Sequence, residues 1–191
     1  MSVILCQSDF GRVRNPKTNN CEKVEKFTWK TPNRLQISLI TFGAMFTEIK
    51  VPDREGNVKD ILLGYDESDD CICKRDGKFN FNRIIGPVSG IIKDAEYCVN
   101  GKFYDLAKNL KREHCVDSGA AGLHQVNWTP FVKGNDLTLS HTTDGSDEFP
   151  AILLIQCVIS VTSTNKMTIK MTARSNKVSP IDLSYRFYFN L

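Results

Sequence analysis

The sequence predicts an all-β protein, an antiparallel β-sandwich, on three observations. Segment 166–173 alternates without a break, with Met167, Ile169, Met171 and Ala173 on one side and Lys166, Thr168, Lys170 and Thr172 on the other. That is the pattern of a strand with one face buried. Asn100 and Gly101 sit between two alternating segments, and this pair favours a type I′ hairpin turn because both central residues need positive φ. Strand-like segments recur along the chain, whereas only 104–112 carries any helical pattern. Many short strands with little helix build a sandwich or a barrel.

In chain order, segments 36–42, 45–51 and 58–63 are rich in β-branched and aromatic residues and are predicted strands. Gly43 marks a kink between the first two. Pro52, Asp53 and Gly56 supply turn chemistry between the second and third. Segments 95–99 and 102–106 form the hairpin around Asn100-Gly101. Segments 137–141, 152–161 and 166–173 follow, with Thr164-Asn165 turning the chain between the last two. No repeat, low-complexity tract or linker divides residues 1–191, so one domain is expected.

Bulk composition narrows the function classes. Hydrophobic residues make up 41% and charged residues 25% of the chain, ordinary values for a folded globular protein. A net charge of +3 with no run of five basic residues argues against nucleic acid as a partner. The apolar stretch at Val3–Leu5 is too short for a signal peptide, and no apolar run is long enough to span a bilayer. A cytoplasmic protein without a membrane partner is expected. The seven cysteines are an odd number in a chain with no export signal, so reduced thiols are expected. Cys71 and Cys73 are the only close pair, and no further ligands lie near them, so no metal is expected there.

An ordered set of motifs resembles the aldose 1-epimerase (galactose mutarotase) family. It comprises segments 27–30, 38–44, 49–53 and 61–66, then Asp144-Gly145 with Glu148, Phe149 and Pro150, then Ser179 to Ser184 and Tyr188 to Leu191. The leader, with Phe10-Gly11 and Asn15-Pro16, is similar to insect members. The similarity corresponds to the N-terminal part of the family sequence. It implies a galactose mutarotase-like β-sandwich, truncated relative to the family, that would take a hexose and interconvert its α and β anomers with no cofactor.

That reaction needs a base for the anomeric hydroxyl proton and an acid for the ring oxygen. The family carries a Glu base and a His acid, with a second His and an Asn-Arg pair holding the sugar. Counting back from Asn100-Gly101 puts the family Asn-Arg pair on Gly90 and Ile91, whose side chains cannot hydrogen-bond a hydroxyl. Asn82-Arg83-Ile84 spells the tripeptide but lies eight residues too early, and reaching it would require a register slip in a sheet. Counting back from Trp128 puts the sugar-positioning His on Asp117, with His124 on a family Asp position. His114 and His124 are both expected to be solvated loop residues with ordinary titration.

Arg186 occupies the position of the acid. A guanidinium stays protonated at any relevant pH and cannot serve as one, although it can donate hydrogen bonds. The family base falls beyond Leu191. No residue is therefore assigned a catalytic role. Asp117, His124 and Arg186 remain as substrate-binding candidates.

The expected function is a catalytically inactive member, a carbohydrate-binding-fold or protein-interaction module. The alternative is an active aldose 1-epimerase acting on hexoses such as galactose and glucose. The aromatic C-terminal segment 185–191 is expected to pair with another copy or a protein partner, because uncovered strand edges and apolar patches template association.

Overall fold

The computed structural model describes residues 2–15, 18–64, 80–119, 122–146 and 148–191. A first antiparallel sheet runs in chain order through β1 (Ile4–Arg14), β2 (Cys21–Lys30), β3 (Gln36–Ile40), β4 (Met45–Pro52) and β5 (Val58–Asp60). Short pieces follow: β6 (Ile84–Ile85), β7 (Ile91–Ile92), β8 (Glu96–Val99), β9 (Lys102–Asp105) and β10 (Cys115–Val116). A second sheet, also in chain order, contains β11 (Thr129–Lys133), β12 (Asp136–Thr142), β13 (Leu153–Val161) and β14 (Met167–Ser175). Finally β15 (Ser184–Tyr185) returns to pair with β6, while β7 pairs with β10 and β8 with β9. Helix among the described residues is limited to 3-10 turns such as Lys93–Ala95 and Leu123–Gln125.

The two larger sheets share one core. Phe27, Trp29, Ile37 and Leu39 from the first belong to the same apolar cluster as Leu137, Leu139, Leu153, Ile155 and Ile159 from the second. Each such fully buried side chain contributes about 1.5–3 kcal/mol. Polar links tie the layers together. The Trp29 indole donates to the Asn135 carbonyl at 2.8 Å, and the Thr31 hydroxyl donates to Asn165 Oδ1 at 2.7 Å. On β13, buried and more exposed residues alternate along the strand, with Leu153, Ile155, Cys157, Ile159 and Val161 all buried. On β14 the predicted apolar face is only half-buried, as suits the last strand of the sheet.

Most predicted strands are present. The Asn100-Gly101 turn has φ of 52° and 76°, the positive pair that type I′ requires. Gly43, at φ 67°, kinks the chain between β3 and β4, and a Cβ there would lie 2.7 Å from the His124 carbonyl oxygen. The third predicted strand stops early, at Asp60. Its carboxylate accepts from the backbone N–H of both Ile49 and Leu62 at 3.0 Å, replacing the ladder partner that would extend the pairing.

Three expectations need correction. Segment 104–112 is not helical: its start belongs to β9, and Lys111 and Arg112 both have positive φ, which breaks any helix. The C-terminal strand is regular only at Ser184–Tyr185. Beyond it, a single bridge joins Phe189 to Leu62, and the Tyr188 N–H donates to Asn82 Oδ1 at 2.9 Å. His124, expected in solvent, is 7% exposed. Five cysteines are described, all with free thiols: Cys6, Cys21, Cys98, Cys115 and Cys157. Cys71 and Cys73 lie outside the described residues. No described helix is long and apolar enough to cross a membrane.

Candidate functional site

The fold brings Gly90, Ile91, Asp117 and Arg186 together. β7 and β10 pair through Ile92–Cys115 and Ile91–Val116, and the chain then turns sharply. Asp117, Ser118 and Gly119 all have positive φ, between 54° and 61°, a conformation that Asp tolerates better than most residues. The Ser118 hydroxyl pins this turn by donating to the Val88 carbonyl and accepting from the Val88 N–H, both at 2.9 Å. The Asp117 N–H donates to the Gly90 carbonyl at 2.9 Å, and the Gly90 N–H donates back to Asp117 Oδ1 at 3.0 Å. Position 90 thus contributes backbone groups only. Ile91 is 64% exposed and offers an apolar side chain to solvent.

Arg186 closes the arrangement from the C-terminal segment. Its Nη1 donates to Asp117 Oδ2 and its Nη2 to Asp117 Oδ1, both at 2.6 Å. This is the planar fork-on-fork geometry that guanidinium and carboxylate favour. The Asp117 side chain is 6% exposed and that of Arg186 35%. Both carboxylate oxygens and two guanidinium nitrogens are therefore used within the protein.

Behind the pair lies His124. The fourth residue of interest, Arg83, is 8% exposed; its Nη1 donates to the His124 carbonyl at 3.1 Å, and its guanidinium packs over the Phe42 ring at 5.3 Å. Burial, together with the charges of Arg83 and Arg186 and against that of Asp117, lowers the His124 pKa to about 4. The ring is therefore neutral at pH 7. The amide of Gln125 lies 3.2 Å from His124 Nε2, and the buried Nδ1 has no hydrogen-bond partner among the described residues. The tripeptide at 82–84 is built into the core. Asn82 is 1% exposed and donates to the Leu63 carbonyl at 2.6 Å, so neither its amide nor Arg83 faces an open groove.

His114, half-buried, lies in a different place. With Asp94 and Glu113 it presents three ligand-type atoms within 4.8 Å of one another. Its Nδ1 accepts the Asp94 N–H at 3.1 Å, and its Nε2 is 3.7 Å from Glu113. An acceptor Nδ1 puts the proton of the neutral ring on Nε2, so the nitrogen facing Glu113 has no lone pair for a cation. These three residues do not fit a metal.

Sequence reasoning placed Asp117 and Arg186 on separate motifs and missed their contact. Their opposite charges at two neighbouring site positions were the available signal. It also missed the burial of His124, for which the flanking Gly122, Leu123 and Trp128 were the signal.

The aldose 1-epimerase family model matches residues 25–191. The human galactose mutarotase is 30% identical over 169 residues, covering 88% of this chain and 48% of the human protein. A probable aldose 1-epimerase from Arthroderma benhamiae is 31% identical over 83% of this chain and 39% of its own length. An aldose epimerase homologue from C. elegans superposes with a TM-score of 0.77 at 20% identity, over 97% of this chain and 51% of that one. Galactose 1-epimerase from Lactobacillus acidophilus does so at 0.78 and 14% identity, over the whole chain and 54% of its own. The chain spans about half the length of the curated mammalian relatives it matches.

Proposed function

Because the chain belongs to the aldose 1-epimerase family, we propose that it is a non-catalytic member in which an ion pair fills the sugar-facing positions. The observation that carries this reading is the bidentate Arg186–Asp117 contact at 2.6 Å. At the acid's position stands a group that cannot give up its proton at useful cost. At the position of the sugar-holding His stands a carboxylate whose oxygens already accept from Arg186 and Gly90. A sugar hydroxyl would have to break charge-assisted hydrogen bonds to engage either group, and Gly90 and Ile91 return nothing through their side chains. In this reading residues 1–191 act as one domain, a protein-interaction module in the cytoplasm, with the C-terminal segment as its contact surface.

Polarimetry on freshly dissolved α-D-glucose and α-D-galactose tests the proposal. The expected rate is that of buffer, and Arg186→His alone should not raise it. Acid and base groups are each worth about 10²–10⁴-fold, so a working site would stand clear of the background. A rate proportional to protein would overturn the reading. The identity to galactose mutarotases favours the other reading, an active aldose 1-epimerase acting on hexoses, and that outcome would establish it.

A further inference from the structure

Asn100 and Gly101 form the tip of the β8–β9 hairpin, where both residues are exposed and both have positive φ, 52° and 76°. Val99 pairs with Lys102 across the turn, so two residues close it. Three other described asparagines have positive φ, namely Asn19, Asn82 and Asn165, and each has its side-chain amide engaged. Asn19 Oδ1 accepts from Arg14 at 3.2 Å. Asn165 Oδ1 accepts from the Thr31 hydroxyl at 2.7 Å. Asn82 is buried and donates to the Leu63 carbonyl. The Asn100 amide has no hydrogen-bond partner among the described residues.

The residue that follows sets Asn100 apart again. Glycine has no Cβ, and one built at position 101 would meet nothing within 4 Å. The peptide joining residues 100 and 101 can therefore rotate, which brings the Gly101 nitrogen onto the Asn100 side-chain carbonyl carbon without a clash. Approach of the reacting atoms to about 3–3.5 Å is what an intramolecular attack needs. The Gly101 N–H has no acceptor among the described residues, so the rotation breaks no hydrogen bond. Asn19 and Asn165 are followed by Asn20 and Lys166, whose side chains restrict the same movement.

We infer that Asn100 is a site of spontaneous modification, at which its amide is converted to aspartate and isoaspartate through a cyclic imide. The Gly101 nitrogen, having lost its proton to solvent base, forms a bond to Asn100 Cγ. The Cγ–Nδ2 bond breaks, and the amide nitrogen leaves as ammonia by taking up the equivalent proton. Water then opens the ring. Cleavage at Cγ gives aspartate, and cleavage at the main-chain carbonyl carbon gives isoaspartate. The net change is water in and ammonia out, with nothing oxidised or reduced. Isoaspartate routes the main chain through Cβ and Cγ, which lengthens a turn whose size fixes the hairpin register. The far end of the hairpin is held by Tyr97, which stacks on Tyr104 at 5.1 Å and on Phe149 at 5.6 Å and donates its hydroxyl to the Glu148 carbonyl at 2.7 Å. Pairing is therefore lost from the tip inwards. The inference is independent of whether the chain is catalytic.

Peptide mapping of the intact purified chain, aged in mildly alkaline buffer, is the test. Asn100 should gain the mass of an oxygen-for-nitrogen exchange and give two separable products. It should do so at least tenfold faster than Asn135, which is exposed, has no side-chain partner among the described residues and precedes Asp136. Gly101→Ala should slow the conversion at least tenfold, and an unchanged circular dichroism spectrum would show that the fold is kept. In the isoaspartate fraction, amide exchange should rise at Val99 and Lys102. Conversion of Asn100 no faster than that of Asn135, an undiminished rate in the folded Gly101→Ala variant, or an Asn100 that persists in the folded chain while the urea-unfolded chain converts, would each overturn the inference.

Discussion

A buried neutral histidine makes stability depend on pH. In the unfolded chain His124 titrates near 6.5, whereas in the folded chain its pKa lies at about 4. Between these values the unfolded state binds the extra proton, so this contribution is fully present above pH 6.5 and is lost as pH falls towards 4. The total is about 3 kcal/mol. Urea unfolding at pH 7.5, 5.5 and 4.5 should show the loss, and His124→Gln should flatten it; equal slopes in the two proteins would refute the assignment. The Asp117–Arg186 pair makes a second, asymmetric prediction. Replacing Arg186 with Leu strands the more buried partner and should cost about 3–5 kcal/mol. Asp117→Asn leaves the more exposed guanidinium able to reach water and should cost less than half as much. Comparison of denaturation midpoints checks the order. The sequence made the identity of both residues legible, and the chemistry that Arg186 cannot perform followed from its type alone. Their contact was not legible, because it joins residues 69 apart through a turn of three consecutive positive-φ residues that no local pattern announces.

Glycines in the site's turn test how tightly the elements meet. Gly122 precedes the Leu123–Gln125 turn with an ordinary φ of −64°, so backbone freedom does not explain it. A Cβ there would lie 2.3 Å from His124 Cε1 and 2.9 Å from the Asp117 carbonyl oxygen. The backbone oxygen cannot move aside as a side-chain end could, and Gly122→Ala should cost about 1–3 kcal/mol. Gly101→Ala is the contrast. Nothing lies within 4 Å of its added carbon, and only the φ of 76° opposes it, for about 1–2 kcal/mol. Thermal unfolding should show both losses, but only Gly122→Ala should perturb the His124 ring resonances. At this scale the sequence was most readable where one face of a long strand is buried. The alternation in β13 and β14 and the Asn-Gly turn were both plain. β1 was hidden because residues such as Ser8, Asp9 and Arg12 mask its edge pairing, interrupted by an irregularity between Asp9 and Gly11. β11 was hidden because Pro130 and the exposed Phe131 break the expected alternation. The short pairs β6–β15 and β7–β10 owe their existence to distant partners rather than to local propensity.

Across the whole molecule, an aromatic ladder leads from the core to the surface. Phe46 packs on Tyr185 and Phe187 at ring distances of 5.4 and 5.1 Å, and Phe187 stacks on Phe189 at 5.9 Å. The Tyr185 hydroxyl anchors the inner end by donating to the Ala44 carbonyl at 2.5 Å. The outer end is open: Phe189 is 52% and Tyr188 40% exposed, close in sequence to the exposed Val178 and Ile181. The alternation of the segment explains this division, since Tyr185, Phe187 and Phe189 share the stacked side while Arg186 points to Asp117. On β14, by contrast, Lys170 and Arg174 are exposed and blunt that strand against pairing. Association is therefore expected through the ladder's outer end rather than through β14. Exposed apolar surface of this kind is a feature of interaction sites. At about ten micromolar, sedimentation should detect species larger than the monomer, and Phe189→Glu with Tyr188→Ser should shift the population back to monomer. The same variant should keep the 185–187 packing, so its near-ultraviolet circular dichroism should retain most of its aromatic signal. A wild-type chain that sediments as a stable monomer and binds no hydrophobic dye would show that the ladder closes on itself and serves no interface.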